Sequence, residues 1–141
     1  DQAITTSTWT LVTWDTDVTD PAGVHDTSSN TGRFVMPSSG YTTMRLRAYI
    51  PWETINSGTG RAICVCLNSA GTRTTSNTVM ELFYFSYFGN AGCYAETDDL
   101  VLSSGDYLEV FVFQDRGSNL ALRGAAGNNG GRAFAVATLR P

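Results

Sequence analysis

The residues able to do chemistry are few and scattered. His25, followed by Asp26, is the only histidine of the 141-residue chain, so a metal site of the multi-histidine cupin kind is out of reach. A Ser-His-Asp arrangement would need its nucleophile on a strained elbow, and no Gly-x-Ser-x-Gly occurs. The carboxylate pairs Asp15/Asp17 and Asp98/Asp99 are of a kind frequent in turns, and make a poor case for glycosidase chemistry. Cys64 and Cys66 stand two apart and share a face on a strand, poorly placed to bond each other, while Cys93 could meet them only through tertiary structure. The three read as buried free thiols, too few ligands for a metal centre. A turn role is expected for His25 and Asp26, and the chain is expected not to be an enzyme.

The elements around these residues read as strands. Met44, Leu46, Ala48 and Ile50 alternate with Thr43, Arg45, Arg47 and Tyr49, the period-2 pattern of a strand with one face on a core. Before them, Pro37 cannot donate to a sheet ladder and Gly40 tolerates positive φ, so the chain must break and restart at Tyr41. Similar alternation marks Ile63 to Leu67, Tyr107 to Phe113 and Ala133 to Thr138, each run bounded by Gly, Pro, Asn or Ser. Met80, Phe83, Tyr84, Tyr87 and Phe88 also fit a helical stripe, but Leu82 and Phe85 then fall on the wrong side, and the aromatic density favours a strand. Strands are therefore expected over 7–14, 33–36, 41–51, 60–67, 78–86, 93–102, 106–114 and 132–139, with long loops at 15–32 and 115–131. Eight turn-punctuated strands without a confident helix mean an all-β sandwich, jelly roll or barrel.

Length suits a single domain over 1–141, burying roughly 68% of its unfolded surface. Thirteen carboxylates against nine basic groups, all arginine, leave a net charge of −4. Nucleic acid and anionic membranes are poor partners for such a surface. No apolar run approaches the ~18 residues of a membrane span, and the first residues lack the basic and apolar regions of a signal peptide.

Apolar surface is in surplus. Trp9 and Leu11 oppose Val12 and Trp14, and Leu82 and Tyr84 oppose Phe83 and Phe85, whereas a sandwich strand needs one apolar face. Each large side chain left wet forgoes about 1.5–3 kcal/mol. A closed homo-oligomer is the simplest sink.

Four segments in order carry a resemblance: Gly32-Arg33-Phe34-Val35-Met36-Pro37-Ser38-Ser39-Gly40-Tyr41, Cys64-Val65-Cys66-Leu67-Asn68, Leu102-Ser103-Ser104-Gly105-Asp106-Tyr107-Leu108-Glu109-Val110, and Phe134-Ala135-Val136-Ala137-Thr138-Leu139. From about Trp9 onward the chain resembles the C1q/TNF-like jelly-roll family, nearest its prokaryotic and phage members. An Asp-rich loop from Asp15 to His25-Asp26 and a Val112-Phe113-Gln114-Asp115 ending are similar to theirs. The resemblance implies a two-sheet antiparallel jelly roll of about eight to ten strands that forms homotrimers and works by display. It implies an inner sheet of the strands near 7–14, 41–51, 93–102 and 132–139, with Tyr41, Arg45, Arg47 and Tyr49 toward neighbouring subunits. The alternative for Arg45 and Arg47 is that they face solvent. Some family trimers carry calcium near their axis, but Asp98-Asp99 lacks other clustered carboxylates. No cofactor is therefore expected, with calcium as the alternative.

Two functional classes follow. The first is a virion surface protein, a phage fibre head or a capsid decoration, contacting a host receptor or glycan or stabilising the shell beside other virion proteins. The second is a secreted or cell-surface binding module for glycan or protein. Low charge and the absence of a disulfide framework favour the first, since virions assembled inside cells suit unpaired cysteines. If a ligand is bound, the loop residues Trp52, Arg73, Arg116, Asn128 and Asn129 are the expected contacts. The alternative is that Trp52 packs beneath its loop and the Asn-Asn-Gly-Gly turn is merely flexible.

Overall fold

A computed structural model describes residues 2–16, 19–53, 60–85, 92–123 and 133–141. Among them are eleven strands and no helix: β1 (Gln2–Ile4), β2 (Thr10–Leu11), β3 (Arg33–Val35), β4 (Thr43–Pro51), β5 (Gly60–Leu67), β6 (Thr78–Phe85), β7 (Gly92–Glu96), β8 (Leu100–Val101), β9 (Tyr107–Gln114), β10 (Leu120–Leu122) and β11 (Phe134–Arg140). All pairings are antiparallel. A front sheet runs β11-β4-β7, with β8 also on β4; a back sheet runs β2-β9-β5-β6, with β3 also on β9; β1 and β10 form a separate ribbon. The molecule is all-β and sandwich-like, with the core between the two sheets.

The alternation in β4 becomes burial. Met44, Leu46, Ala48 and Ile50 are 0% exposed and form one core cluster with Ile63, Val65, Leu108, Val110 and Val112 of the back sheet. At about 1.5–3 kcal/mol for each large apolar side chain, this burial is the main favourable term.

The expected strand at 7–14 is corrected. Only Thr10–Leu11 of it forms a strand, β2, while Ser7, at a positive φ of 56° and donating its N–H to the Gln114 carbonyl at 2.7 Å, lies in the turn that separates β1 from β2. The part near Thr10 does not join the front sheet as expected, for Leu11 registers against Phe111 of β9 and Val12 donates to the Val110 carbonyl at 2.9 Å. There Trp9 and Leu11 cover Cys64, Cys66 and Phe111 on the outer side of the back sheet. Part of the apolar surplus is thus buried within the chain itself. The strand expected at 93–102 is broken at Thr97, which exchanges two 3.0 Å bonds with the Leu46 backbone through its own N–H and its Oγ1. β10 lies inside what reads as a loop, its pairing with β1 being invisible to local pattern.

The Ser103-Ser104-Gly105-Asp106 turn leads from β8 of the front sheet to β9 of the back sheet and bonds to Met36, just after β3. Gly105 sits at φ 85°, and Met36 donates to the Asp106 carbonyl at 2.7 Å. The Asp106 carboxylate accepts from Asn68 Nδ2 at 2.7 Å and Ser103 N at 2.8 Å, and these bonds hold it below the usual carboxylate range. A depressed carboxylate stabilises the fold fully above the unfolded value of about 3.9 and loses that contribution as pH falls through the folded value. The Asp106→Ala variant should therefore melt below the wild type at pH 6, and the gap should narrow as pH falls from about 4 through the lower folded value. Thermal melts across that range check this, and a gap independent of pH would refute it.

Candidate functional site

The outward face of the front sheet is built by the same pleat that fills the core. With Met44, Leu46, Ala48 and Ile50 inward, Arg45, Arg47 and Tyr49 must point out. Antiparallel register sets Tyr94 beside Tyr49, Glu96 and Val136 on either side of Arg47, and Thr138 beside Arg45. Directly paired residues on one face are the contact unit of a sheet.

Polar groups on this face are organised across strands. Arg45 Nε lies 2.9 Å from Asp99 Oδ1 and its Nη1 3.5 Å from Glu96 Oε1, while Arg140 Nη1 reaches Asp99 Oδ2 at 3.4 Å. The Asp99 hydrogen bond, then its charge, raises the Arg45 pKa. These pairs are about one-third exposed or more and screened by solvent, so each contributes little to stability; their effect is to fix orientation. The Tyr94 hydroxyl donates to Glu96 Oε2 at 2.6 Å, which raises its pKa, and Arg47 stands beside it. Arg47 is exposed and forms no ion pair among the described residues. Tyr84 of the back sheet closes the free edge of β7, since its hydroxyl bonds both the carbonyl and, at 3.1 Å, the N–H of Tyr94.

Apolar surface is exposed among these charges. Val101 is 82% exposed, Tyr94 and Val136 40% each, and Tyr41 38%. All four expected interface residues lie on or beside this sheet: Arg45, Arg47 and Tyr49 on β4, and Tyr41 just before it. Sequence reasoning missed Tyr94, Glu96, Val136 and Arg140, although the alternation in β7 and β11 marks them as outward.

The expected ligand contacts are not brought together. Trp52 packs inward, the alternative given above: it is 2% exposed, forms a bridge with Leu122, and donates from Nε1 to Cys93 Sγ at 3.2 Å, so it belongs to the core. Burial pushes the Cys93 thiol up to about 11. Arg73 lies on the outer side of the back sheet, 4.5 Å over the Trp9 ring and ion-paired with Glu81. Arg116 sits in the turn after β9, 3.7 Å from Glu53. Asn128 and Asn129 lie outside the described residues.

No family model matches this chain, and no curated protein matches it. The chemistry must be read from the side chains. His25 stacks on Phe34 at 5.3 Å, with Nε2 2.9 Å from the Thr31 carbonyl oxygen. Cys64 and Cys66, 3.9 Å apart, are buried and unbridged. Among the described residues no group of three or more His, Cys, Asp or Glu is placed to hold a metal ion.

Tyr49 is the structural keystone of the face. Its ring lies directly over Gly92 of β7, where a Cβ would stand 2.4 Å from Cε2. Gly92→Ala should therefore push the half-exposed Tyr49 ring off its rotamer at a cost of about 0.5–1.5 kcal/mol, and Tyr49→Ala should restore most of that loss in the double variant. Chemical denaturation of the four proteins of the cycle checks it; additive losses would refute the contact.

Proposed function

We propose that this chain is a non-catalytic C1q/TNF-like jelly-roll module that forms homotrimers through its front sheet and is displayed on a virion surface, where it attaches to a host or stabilises the shell. The observation that carries the proposal is the outward face of β4, β7 and β11, where exposed Tyr94 and Val136 lie among arginines already oriented by Glu96 and Asp99. A solvated strand face favours charge and small polar groups. One carrying aromatic and branched apolar residues beside arginine has the composition of a protein interface.

Strand order supports the jelly-roll reading. The chain passes from β3 in the back sheet to β4 in front, through β5 and β6 in back to β7 in front, and through β9 in back to β11 in front. Such alternation gives the interlocked sheets of a jelly roll, which a simple meander cannot. The three unbridged thiols favour assembly in a reducing compartment, as for a virion component, over secretion.

Light scattering of the isolated chain should give the mass of three copies of the 15.2 kDa protomer at micromolar concentration. Arg47→Glu with Val136→Asp should convert it to monomers with an unchanged circular-dichroism spectrum. A wild-type monomer would sink the assembly reading. No metal is invoked, so EDTA should leave the melting temperature unchanged; a large fall would bring calcium back.

A further inference from the structure

On the outer side of the back sheet, away from the face discussed above, lies a cavity of about 330 Å3 whose lining includes Asp26, Ser29, Asn30, Arg33, Val35 and Tyr107. Small-ligand pockets span ~300–1,000 Å3, so this one suits a ligand of about one ring. Its cation is held in advance. Arg33 donates from Nε to Glu109 Oε1 at 3.1 Å and lies 4.2 Å over the Tyr107 ring. Glu109 is 1% exposed and also accepts from the Ser69 hydroxyl and, at 3.0 Å, from Gly71 N. Tyr107 is pinned in turn, its hydroxyl accepting the Ala70 N–H at 3.1 Å.

The cavity is open to solvent on the side of Asp26, Ser29 and Asn30, all exposed, and these groups are available to a ligand that reaches it. The Arg33 Nη1 and Nη2 groups donate to no described residue. Asp26 uses only Oδ1, which accepts from Ser28 N, Ser28 Oγ and Ser29 N at 2.8, 2.7 and 3.1 Å; its Oδ2 accepts from no described residue. Asn30 donates from Nδ2 to Ser29 Oγ at 3.4 Å, and its Oδ1 accepts from no described residue. The cavity therefore presents donors from the Arg33 guanidinium, the second Asn30 Nδ2 hydrogen and the Ser29 hydroxyl, and acceptors from Asp26 Oδ2 and Asn30 Oδ1. Sulfate offers acceptors only and would leave the Asp26 and Asn30 oxygens unmatched, hydrogen phosphate would set its negative charge against Asp26, and an ammonium offers donors only and would meet Arg33. Glu109 already offsets the Arg33 charge, so Asp26 leaves the site net negative and unfavourable to anions. A hydroxyl both donates and accepts, and vicinal hydroxyls on an apolar ring answer the whole set, with Val35 as apolar wall.

We infer that this cavity binds a neutral hexose unit of a glycan, its hydroxyls bridging Arg33 to Asp26 and Asn30. The inference does not depend on assembly through the front sheet or on display by a virion. The test is titration of the 15N-labelled chain with methyl α-glucoside, methyl α-mannoside and methyl β-galactoside, with glucosamine and N-acetylneuraminic acid as charged comparators. At least one neutral hexoside should give saturable shifts confined to residues 26–35 and 105–107. Asp26→Asn, which turns an acceptor into a donor, and Asn30→Gly, which keeps the positive φ of 52°, should each weaken that binding by roughly tenfold; Asn30→Gly should leave the melting temperature unchanged, and Asp26→Asn, which keeps Oδ1 as acceptor for Ser28 and Ser29 but loses the charge, should keep the wild-type fold by its 15N spectrum. Absence of saturable shifts with all three hexosides, binding of the charged sugars alone, or wild-type affinity in both variants would overturn the assignment.

Discussion

The pleat of β4 is the constraint from which the rest follows. Successive side chains point to opposite faces, so a slip of one residue in its pairing with β11 and β7 would put Arg45, Arg47 and Tyr49 into the core and Met44, Leu46, Ala48 and Ile50 into water. Burying those charges unpaired would cost far more than the sheet could recover. Register is thereby specified by energy on both faces at once. The same choice that builds the core fixes which residues the front sheet shows to its surroundings, and core and interaction face are two readings of one alternation.

The back sheet solves a different problem, because β5 and β9 are buried on both sides. Ile63 and Val65 meet the core, while Cys64, Cys66 and Phe111 are roofed by Trp9 and Leu11 from the N-terminal segment. Further along the same outer surface the roof gives way, and Glu109 is buried there because Arg33, Ser69 and Gly71 supply its donors. A buried carboxylate with these partners is stable where a bare one would not be. That network also fixes the guanidinium of Arg33, so rigidity required by burial becomes preorganisation at the cavity.

Where pattern is long and local, sequence revealed structure. β4, β5, β6, β9 and β11 are seven to nine residues each, enough for a period of two to stand out. β1 and β10 are three residues each and exist only because they pair across almost the whole chain. Trp52 follows a proline and precedes polar residues, so it reads as a loop aromatic; its burial depends on Cys93 and Leu122, which no local window contains. On the front sheet Arg45, Arg47 and Tyr49 were legible from alternation alone. Their partners Glu96, Asp99 and Arg140 required the register of three strands. The cavity was hidden for the same reason, as Asp26 and Arg33 meet Tyr107 only through the pairing of β3 with β9.

The two surfaces divide the labour of the proposed module without conflict. Arg33, Val35 and Tyr107 belong to the outer side of the back sheet, opposite the face assigned to assembly. Packing three front sheets together would leave the cavities open and turned outward. A single hexose binds weakly, because a small ligand makes few contacts and its loss of freedom on binding is not much less than that of a large one. Three cavities held by one trimer, and many trimers on one particle, convert weak binding into avidity provided the glycan surface is dense enough to be reached by several sites. Weak affinity at each cavity is then no argument against attachment, and the proposed assembly through β4 would multiply what one cavity does alone.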